Sequence, residues 1–131
     1  MFKGILKRAV ATAVGAATAI PVIVGVGAMR TDEAQSLARD AAAEGAAGLL
    51  LAPVSYSPLT EEEIFEHFLA VASASDLPLC IYSNPSTTNF TFRPELVARL
   101  KELEVRRFLL QRHLCQHITD ALLHSGVLLY R

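Results

Sequence analysis

Three short apolar runs recur along the chain, and their spacing limits the folds that this sequence can adopt. The runs are Pro21-Val-Ile-Val-Gly, Gly48-Leu-Leu-Leu-Ala-Pro and Pro78-Leu-Cys-Ile-Tyr, and their starts lie 27 and 30 residues apart. Each run is followed by a polar turn and then by a helical pattern. Runs that are apolar throughout are typical of strands buried on both faces of a parallel sheet. The repeat therefore predicts α/β architecture with right-handed crossovers, either an open doubly wound sheet or part of a (β/α)8 barrel.

The helical segments between the runs carry their own start and stop signals. Thr31 or Asp32 is expected to cap the first helix, which Gly45 ends. Thr60-Glu-Glu-Glu63 has the pattern of a capping box for the second helix, and Pro94 suits the first turn of the third. The expected inner sides of the three helices are Leu37, Ala38, Ala41 and Ala42; Ile64, Phe68, Leu69 and Ala72; and Leu96, Val97, Leu100 and Leu103.

The segment before the first complete helix has three interpretations. Residues 9–29 carry no charge, which is long enough for a membrane span, and a basic start followed by small residues would also suit an export signal over residues 1–30. Its apolar character comes from Ala, Gly and Thr, and Pro21 interrupts it. We favour a helix over residues 4–18 followed by a strand that Pro21 opens, because the rest of the chain repeats that unit.

Composition gives no indication of a nucleic-acid or membrane partner. Twelve Lys and Arg against 13 Asp and Glu in 131 residues leave no strong field for nucleic acid or for a membrane surface. Cys80 and Cys115 form neither a disulfide framework nor a metal-binding CxxC pair. We therefore expect a cytoplasmic protein without nucleic-acid or membrane partners and without a metal.

Polar residues follow each apolar run, at the edge where α/β proteins bind their ligands. Gly25-Val-Gly27 is best explained as a turn, since the next glycine of a dinucleotide motif would fall on Arg30. Ser55, Tyr56 and Ser57 follow the second run. The third run ends in Tyr82, and hydroxyls and amides crowd residues 83–89, which suits a carboxylate or carbonyl ligand.

Taken together, these sequence segments resemble the dihydrodipicolinate synthase and N-acetylneuraminate lyase family over roughly residues 5–103. The matching stretches are PVIVGVGA, AEGAAGLLLAPVSYSPLTEEEIFEHF, DLPLCIYSNPSTTNF and PELVARL. Members of that family are (β/α)8 barrels that bind pyruvate or a related 2-oxo acid as a Schiff base on a lysine, with no further cofactor, and make or break a carbon–carbon bond. The resemblance implies that Tyr82 is a catalytic proton-relay residue and that Tyr56 binds substrate across a subunit contact.

Three departures limit what the resemblance implies. Thr87 occupies the substrate-binding position at which the synthases carry an arginine, so dihydrodipicolinate synthesis is not expected. The family's Gly-Thr-Thr-Gly-Glu motif, one βα unit upstream, is absent. The Schiff-base lysine should lie on the strand after the third helix, but the last lysine is Lys101, inside that helix. We expect a fragment of a lyase that is inactive as this chain.

The composition changes at Glu104, and the following sequence departs from the family. His113, His117 and His124 share a helical spacing with Cys115 nearby, but no carboxylate completes a metal site. The sequence predicts an incomplete barrel over residues 1–103 and a divergent tail over residues 104–131, for which a frameshift is one explanation. The tail has a helical pattern and then an apolar run from Gly126 to Tyr130. Exposed sheet edges favour self-association. A non-catalytic binding or scaffold module and a small exported protein remain the alternatives.

Overall fold

The computed structural model describes residues 22–102, 108–111 and 128–130. Its elements, in chain order, are β1 Val22–Gly25, α1 Thr31–Ala43, β2 Gly48–Leu51, α2 Glu61–Ala72, β3 Leu79–Tyr82, α3 Pro85–Thr88, α4 Pro94–Glu102, β4 Phe108–Gln111 and β5 Leu128–Tyr130. Several predicted features lie outside the described residues. They are the helix expected over residues 4–18, residues 1–21 of the alternative export signal, and the positions Leu103, His113, Cys115, His117 and His124.

The five strands form one parallel sheet in the order β4-β3-β2-β1-β5. The three apolar runs provide its centre, which confirms the predicted βα repeat. The helix expected at the start of the tail is wrong for residues 108–111, because Leu109 pairs with Cys80 in a strand beside β3. A short apolar segment next to an open edge gains backbone hydrogen bonds by extending, which outweighs its neutral helix propensity.

One face of the sheet packs against the helices. Alternate residues of β1, β2 and β3 join a single buried core with the apolar sides of α1, α2 and α4, and these strand residues are Val22, Val24, Leu49, Leu51, Leu79 and Ile81. The alternating residues on the opposite face include Ile23 and Leu50, which are only half-buried. The helices thus cover one side of the sheet, as they do around the outside of a barrel.

Two of the three predicted helix start signals are present. The Thr60 hydroxyl accepts from the Glu63 amide at 3.2 Å, and the Glu63 carboxylate accepts from the Thr60 amide at 2.7 Å, which completes the capping box. Pro94 opens α4 as expected.

The cap expected for α1 is wrong. The N-cap of this helix is Arg30, without a side-chain capping bond, because the Asp32 carboxylate binds the Arg30 guanidinium and the Thr31 hydroxyl bonds to His67. Gly45, with a φ of +82°, lies just beyond the end of this helix, where the left-handed backbone favours glycine.

Side-chain contacts hold the helices in order across the sheet. The hydroxyl of Thr31 on α1 lies 2.8 Å from Nδ1 of His67 on α2, and Gln35 donates to the backbone oxygen of Ala70. On the other side of α2, the Arg99 guanidinium of α4 binds Glu62 through two contacts and lies 3.7 Å above the Phe65 ring. Among the residues described, no helix is long and apolar enough to cross a membrane.

The stability of this packing should depend on the protonation of His67. Burial lowers the pKa of this imidazole, and its Nε2 has no hydrogen-bond partner in the described part of the chain. The unfolded chain then binds the proton more readily than the folded protein, so the free energy of unfolding should fall as the pH drops from about 7.5 to about 5.5, around the ordinary histidine value. Urea unfolding across this range should show a shallower fall for His67→Gln than for the unsubstituted chain. Equal slopes would contradict the assignment.

Candidate functional site

A cleft of about 270 Å³ opens at the carboxyl ends of β1, β2 and β3. Its walls are largely apolar, and some of the residues in its lining bear hydroxyl groups. The residues that line it are Gly25, Gly27, Leu50, Ala52, Pro53, Val54, Ser55, Tyr82, Thr87 and Thr88. Parallel strands present their carboxyl ends at one edge, so three separate segments of the sequence meet here, in the usual position of a ligand site in α/β folds.

Tyr82 is the last residue of β3 and is half-buried at the cleft. The side-chain amide of Asn84 donates to its hydroxyl oxygen at 3.1 Å, and the Ser86 hydroxyl donates to the other end of that amide at 2.6 Å. These two bonds fix both the amide and the phenol. A phenol that accepts one hydrogen bond still has its own proton to donate, so Tyr82 is positioned to donate to an oxygen of a bound molecule.

The one-turn helix α3 brings two threonines to the same cleft. The Thr88 hydroxyl donates to the backbone oxygen of Asn84 at 2.9 Å, whereas no such bond ties down Thr87 within the described residues. Asn89 ends the turn with a φ of 54°, a left-handed conformation that asparagine tolerates better than most residues. The chain reverses at Asn89, which holds the threonines beside the tyrosine.

An aromatic series anchors this segment to the core. Phe90 packs edge-to-face on Phe92 with ring centroids 5.0 Å apart, and Phe92 packs in the same way on Phe68 of α2 at 5.5 Å. Phe68 is fully buried and Phe92 nearly so. Edge-to-face pairs contribute about 1 kcal/mol each beyond the area they bury. The segment that carries Thr87 and Thr88 is therefore fixed at its far end by the hydrophobic core.

The structure brings together some of the sequence-predicted residues and leaves one apart. Tyr82, Thr87 and Ser55 line the same cleft, as expected for residues at neighbouring strand ends. Tyr56 does not line it and is 95% exposed. Its role in substrate binding stays a prediction, one in which the ring acts across a contact with a second subunit.

The two glycines at the end of β1 and just beyond it have a place in the cleft that sequence reasoning missed. Gly25 and Gly27 line it, although the sequence indicated only a turn. A Cβ atom at Gly27 would lie 3.5 Å from a methyl group of Val54, so the bare backbone leaves the cleft open on that side. Their position at and just beyond the end of a buried strand was the available signal.

The described lining of the cleft contains no charged side chain. A separate cleft of about 480 Å³ contains the titratable side chains Glu63, Glu66 and His67 in its lining. Val54 and Ser55 line both clefts. In the part of the chain that the structure describes, no group of three His, Cys, Asp or Glu side chains is placed to hold a metal. The first cleft therefore offers neutral hydrogen-bond donors.

The strand after the third long helix is present and lies beside Tyr82. β4 has the sequence Phe-Leu-Leu-Gln, and its last residue, Gln111, is in register with Tyr82. The resemblance implies a Schiff-base lysine on this strand, and no residue of β4 is a lysine. The position of the strand relative to the cleft therefore agrees with the expectation, although its sequence does not supply the amine.

Comparison with known proteins decides the family. The model of the dihydrodipicolinate synthetase family matches residues 5–105. The chain belongs to this family. Its parallel strands and outer helices are therefore part of a (β/α)8 barrel, and the open doubly wound sheet is excluded.

Individual relatives give the same result over part of their length. The 4-hydroxy-tetrahydrodipicolinate synthase of Methanothrix thermoacetophila is 43% identical over 84 residues, which are 64% of this chain and 28% of the relative. A dihydrodipicolinate synthase structure from Agrobacterium tumefaciens is 44% identical, with a TM-score of 0.73 over 91% of this chain and 41% of that one. The chain spans about a third of the length of the curated relatives that it matches.

A third comparison concerns the fold alone. A prophage protein of the dihydrodipicolinic acid synthase family from E. coli K12, whose structure was solved in complex with pyruvate, has a TM-score of 0.73 at 22% identity. It covers 96% of this chain and 46% of that one. The shared strand and helix arrangement therefore persists where most of the sequence has changed.

Asn89 provides a test of how the cleft is held. Asn89→Ala places a residue with a Cβ penalty in the left-handed region and should lower the free energy of unfolding by about 1 kcal/mol. Asn89→Gly is the matched control, since glycine adopts this conformation without strain, and it should leave stability nearly unchanged. Urea unfolding of both variants measures the difference. Equal losses for alanine and glycine would show that the asparagine side chain, rather than the backbone conformation, is what matters.

Proposed function

We propose that this chain binds a small 2-oxo acid such as pyruvate in the cleft beside Tyr82, and that it does not carry out lyase chemistry by itself. The observation that carries the proposal is that Tyr82, Thr87 and Ser55, which all bear hydroxyls, line one small, apolar-walled cleft at the carboxyl edge of the sheet. Membership of a lyase family and the pyruvate complex of a distant structural neighbour support the choice of ligand.

The chemistry of the cleft suits such a ligand. A 2-oxo acid has a carboxylate and a carbonyl, both hydrogen-bond acceptors, and a short apolar remainder. Tyr82 can donate to one oxygen, while the Thr87 hydroxyl, which makes no hydrogen bond within the described residues, can donate to another. Leu50, Ala52 and Pro53 provide the apolar wall for the remainder. If a reaction took place, Tyr82 would be the residue that donates a proton to the reacting oxygen.

Turnover requires an amine that this arrangement does not supply. Condensation of a lysine with the ligand carbonyl converts it into an electron-withdrawing imine, and this is the step on which aldolase-type chemistry depends. β4 contains no lysine, and Lys101 lies exposed on α4, which packs on the core face of the sheet. Thr87 in place of an arginine further argues against the synthase reaction, since a hydroxyl cannot grip a second carboxylate in the two-pronged manner of a guanidinium.

Titration with pyruvate tests the binding part of the proposal. We expect saturable binding in ligand-observed NMR or calorimetry, and about a tenfold weaker affinity for Tyr82→Phe, which removes one hydrogen bond to a charged or polar ligand. Ser36→Ala, an exposed hydroxyl on α1 away from the cleft, is the control and should bind as the unsubstituted chain does. Absence of saturable binding would contradict the proposal.

Borohydride reduction tests the absence of Schiff-base chemistry. Incubation with pyruvate and borohydride should leave the intact mass of the chain unchanged, because a trapped adduct requires an imine on a lysine. A specific, saturable adduct on any lysine would overturn the prediction of inactivity.

We also propose that the chain self-associates and resides in the cytoplasm. β4 and β5 form the edges of the described sheet, and Met29, Val54 and Tyr56 are large apolar side chains that remain exposed near the cleft. Unpaired strand edges and exposed apolar groups both favour association. The absence of a disulfide framework among the two cysteines supports a reducing compartment.

Sedimentation velocity over a range of concentrations tests the association. Tyr56→Ser should shift the equilibrium toward the monomer, because an aromatic ring that is almost fully exposed in one chain would be buried in the contact. Asp76→Ser, at an exposed position near the opposite end of the strands, should leave the equilibrium unchanged. A chain that stays monomeric at all concentrations would contradict the proposal.

A further inference from the structure

Asn84 occupies the position of a helix cap but does not use its side chain as one. It directly precedes α3, and its side chain makes no capping bond to that turn within the described residues. Asparagine is preferred at such a position because its side-chain oxygen normally accepts from the first backbone amides of the helix. Here the backbone oxygen of Asn84 accepts from the amides of Thr87 and Thr88 at 3.0 and 2.9 Å. The side chain is therefore left to make other contacts.

The Asn84 side chain bridges Ser86 and Tyr82. Its amide nitrogen lies 3.1 Å from the Tyr82 hydroxyl oxygen, and its amide oxygen lies 2.6 Å from the Ser86 hydroxyl oxygen. The shorter distance is in the range of O–H···O bonds and below that of N–H···O bonds, whereas the longer one is ordinary for N–H···O. Both distances thus agree with an amide whose nitrogen faces the tyrosine.

This orientation determines what the Tyr82 hydroxyl can offer to a ligand. An amide nitrogen only donates hydrogen bonds, so the phenol oxygen accepts from Asn84 and its own proton is free for another partner. Tyr82 belongs to the described lining of the cleft, and Asn84 does not. Any effect of Asn84 on a bound molecule therefore passes through Tyr82.

We propose that Asn84 is a positioning residue that sets a preference of the cleft for 2-oxo acids over 2-hydroxy acids, by keeping the Tyr82 hydroxyl a hydrogen-bond donor. This inference rests on the proposed function. The oxo group of a 2-oxo acid has lone pairs and no proton, so it binds only to a donor. The hydroxyl of a 2-hydroxy acid both donates and accepts, so it can bind to a phenol of either orientation.

Asn84→Asp should reverse the polarity of this bridge while keeping its shape. An ionised carboxylate has no proton to donate, so Tyr82 must donate to it, and only the lone pairs of the phenol remain for a ligand. The oxo group of pyruvate then loses its donor, while the hydroxyl of lactate still finds an acceptor. In calorimetry at neutral pH, the ratio of the pyruvate to the lactate dissociation constant should rise about tenfold. An unchanged ratio would overturn the inference.

The ratio separates this role from a general effect on charge or folding. Pyruvate and lactate carry the same charge and are nearly equal in size, so repulsion by the new carboxylate, or a loosened turn, weakens both alike. In a Tyr82→Phe background, Asn84→Asp should leave the ratio unchanged, because the hydroxyl through which it acts is missing. A rise of the same size in that background would contradict the assignment of Asn84 as a positioning residue.

Tyrosine absorption provides a second measurement that needs no ligand. The chain has three tyrosines and no tryptophan, so its near-ultraviolet band arises mainly from tyrosine. A phenol that donates to a carboxylate absorbs at longer wavelength, because the phenol is a stronger acid in its excited state. Asn84→Asp should therefore shift part of the band, whereas Ser36→Asp, with the same added charge at an exposed position on α1, should not. No shift in Asn84→Asp would contradict the assigned polarity.

The outcomes distinguish the two proposals. Absence of saturable pyruvate binding to the unsubstituted chain contradicts the proposed function, and the preference assigned to Asn84 falls with it, even where the spectra agree with the bridge. If the chain binds pyruvate, but Asn84→Asp changes neither the ratio nor the spectrum, only the inference about Asn84 fails. A rise in the ratio that disappears in the Tyr82→Phe background, together with the spectral shift, supports both.

Discussion

The edge-to-face contact between Phe68 and Phe92 is the interaction on which the candidate site depends. Phe68 lies in the middle of α2 and is fully buried, whereas Phe92 belongs to the irregular segment between the α3 turn and α4. Together with the packing of Phe90 and the ion pair between Arg93 and Glu61, this contact holds the segment after Tyr82 against α2. Burial of two aromatic rings contributes several kcal/mol by area alone, at about 25 cal/mol per Å². The position of the hydroxyl groups in the cleft is thus a consequence of core packing.

Much of the central fold could be predicted from the sequence, because local signals and long-range packing agree there. The capping box at Thr60 and the proline at the start of α4 both satisfy backbone groups that a helix end leaves unpaired, so they act independently of tertiary structure. The cap of α1 could not be predicted in this way. Thr31 has the right chemistry for a cap, but its hydroxyl forms a hydrogen bond with His67, which is 36 residues away in the sequence. A local sequence pattern cannot reveal a hydrogen-bond partner that lies on another helix.

The candidate site also contains both residues that could be predicted from the sequence and residues that could not. Tyr82 was identifiable because polar residues gather directly after a buried strand, and Thr87 because it occupies the position at which the synthases that the chain resembles carry an arginine. Gly27 was not, since its contribution is the absence of a side chain next to Val54. The strand at residues 108–111 could not be predicted either, because Phe-Leu-Leu-Gln has no strong preference for helix or strand. It extends because the edge of β3 is available for pairing. The family resemblance implied that a strand would follow α4, but the foreign composition of the tail masked it.

Where the cleft lining is described, it carries no charged side chain, and this affects the conditions under which a ligand would be held. Attraction between a bound anion and exposed lysines or arginines is screened by dissolved salt, over roughly 10 Å at 0.1 M ionic strength. Hydrogen bonds from neutral hydroxyls and amides act only at contact, and screening hardly affects them. An anion held by such donors gives up its hydration shell without long-range attraction in return, so recognition rests on shape and donor direction. Occupancy of this cleft should therefore respond to the size and geometry of the acid and remain nearly constant across ionic strength.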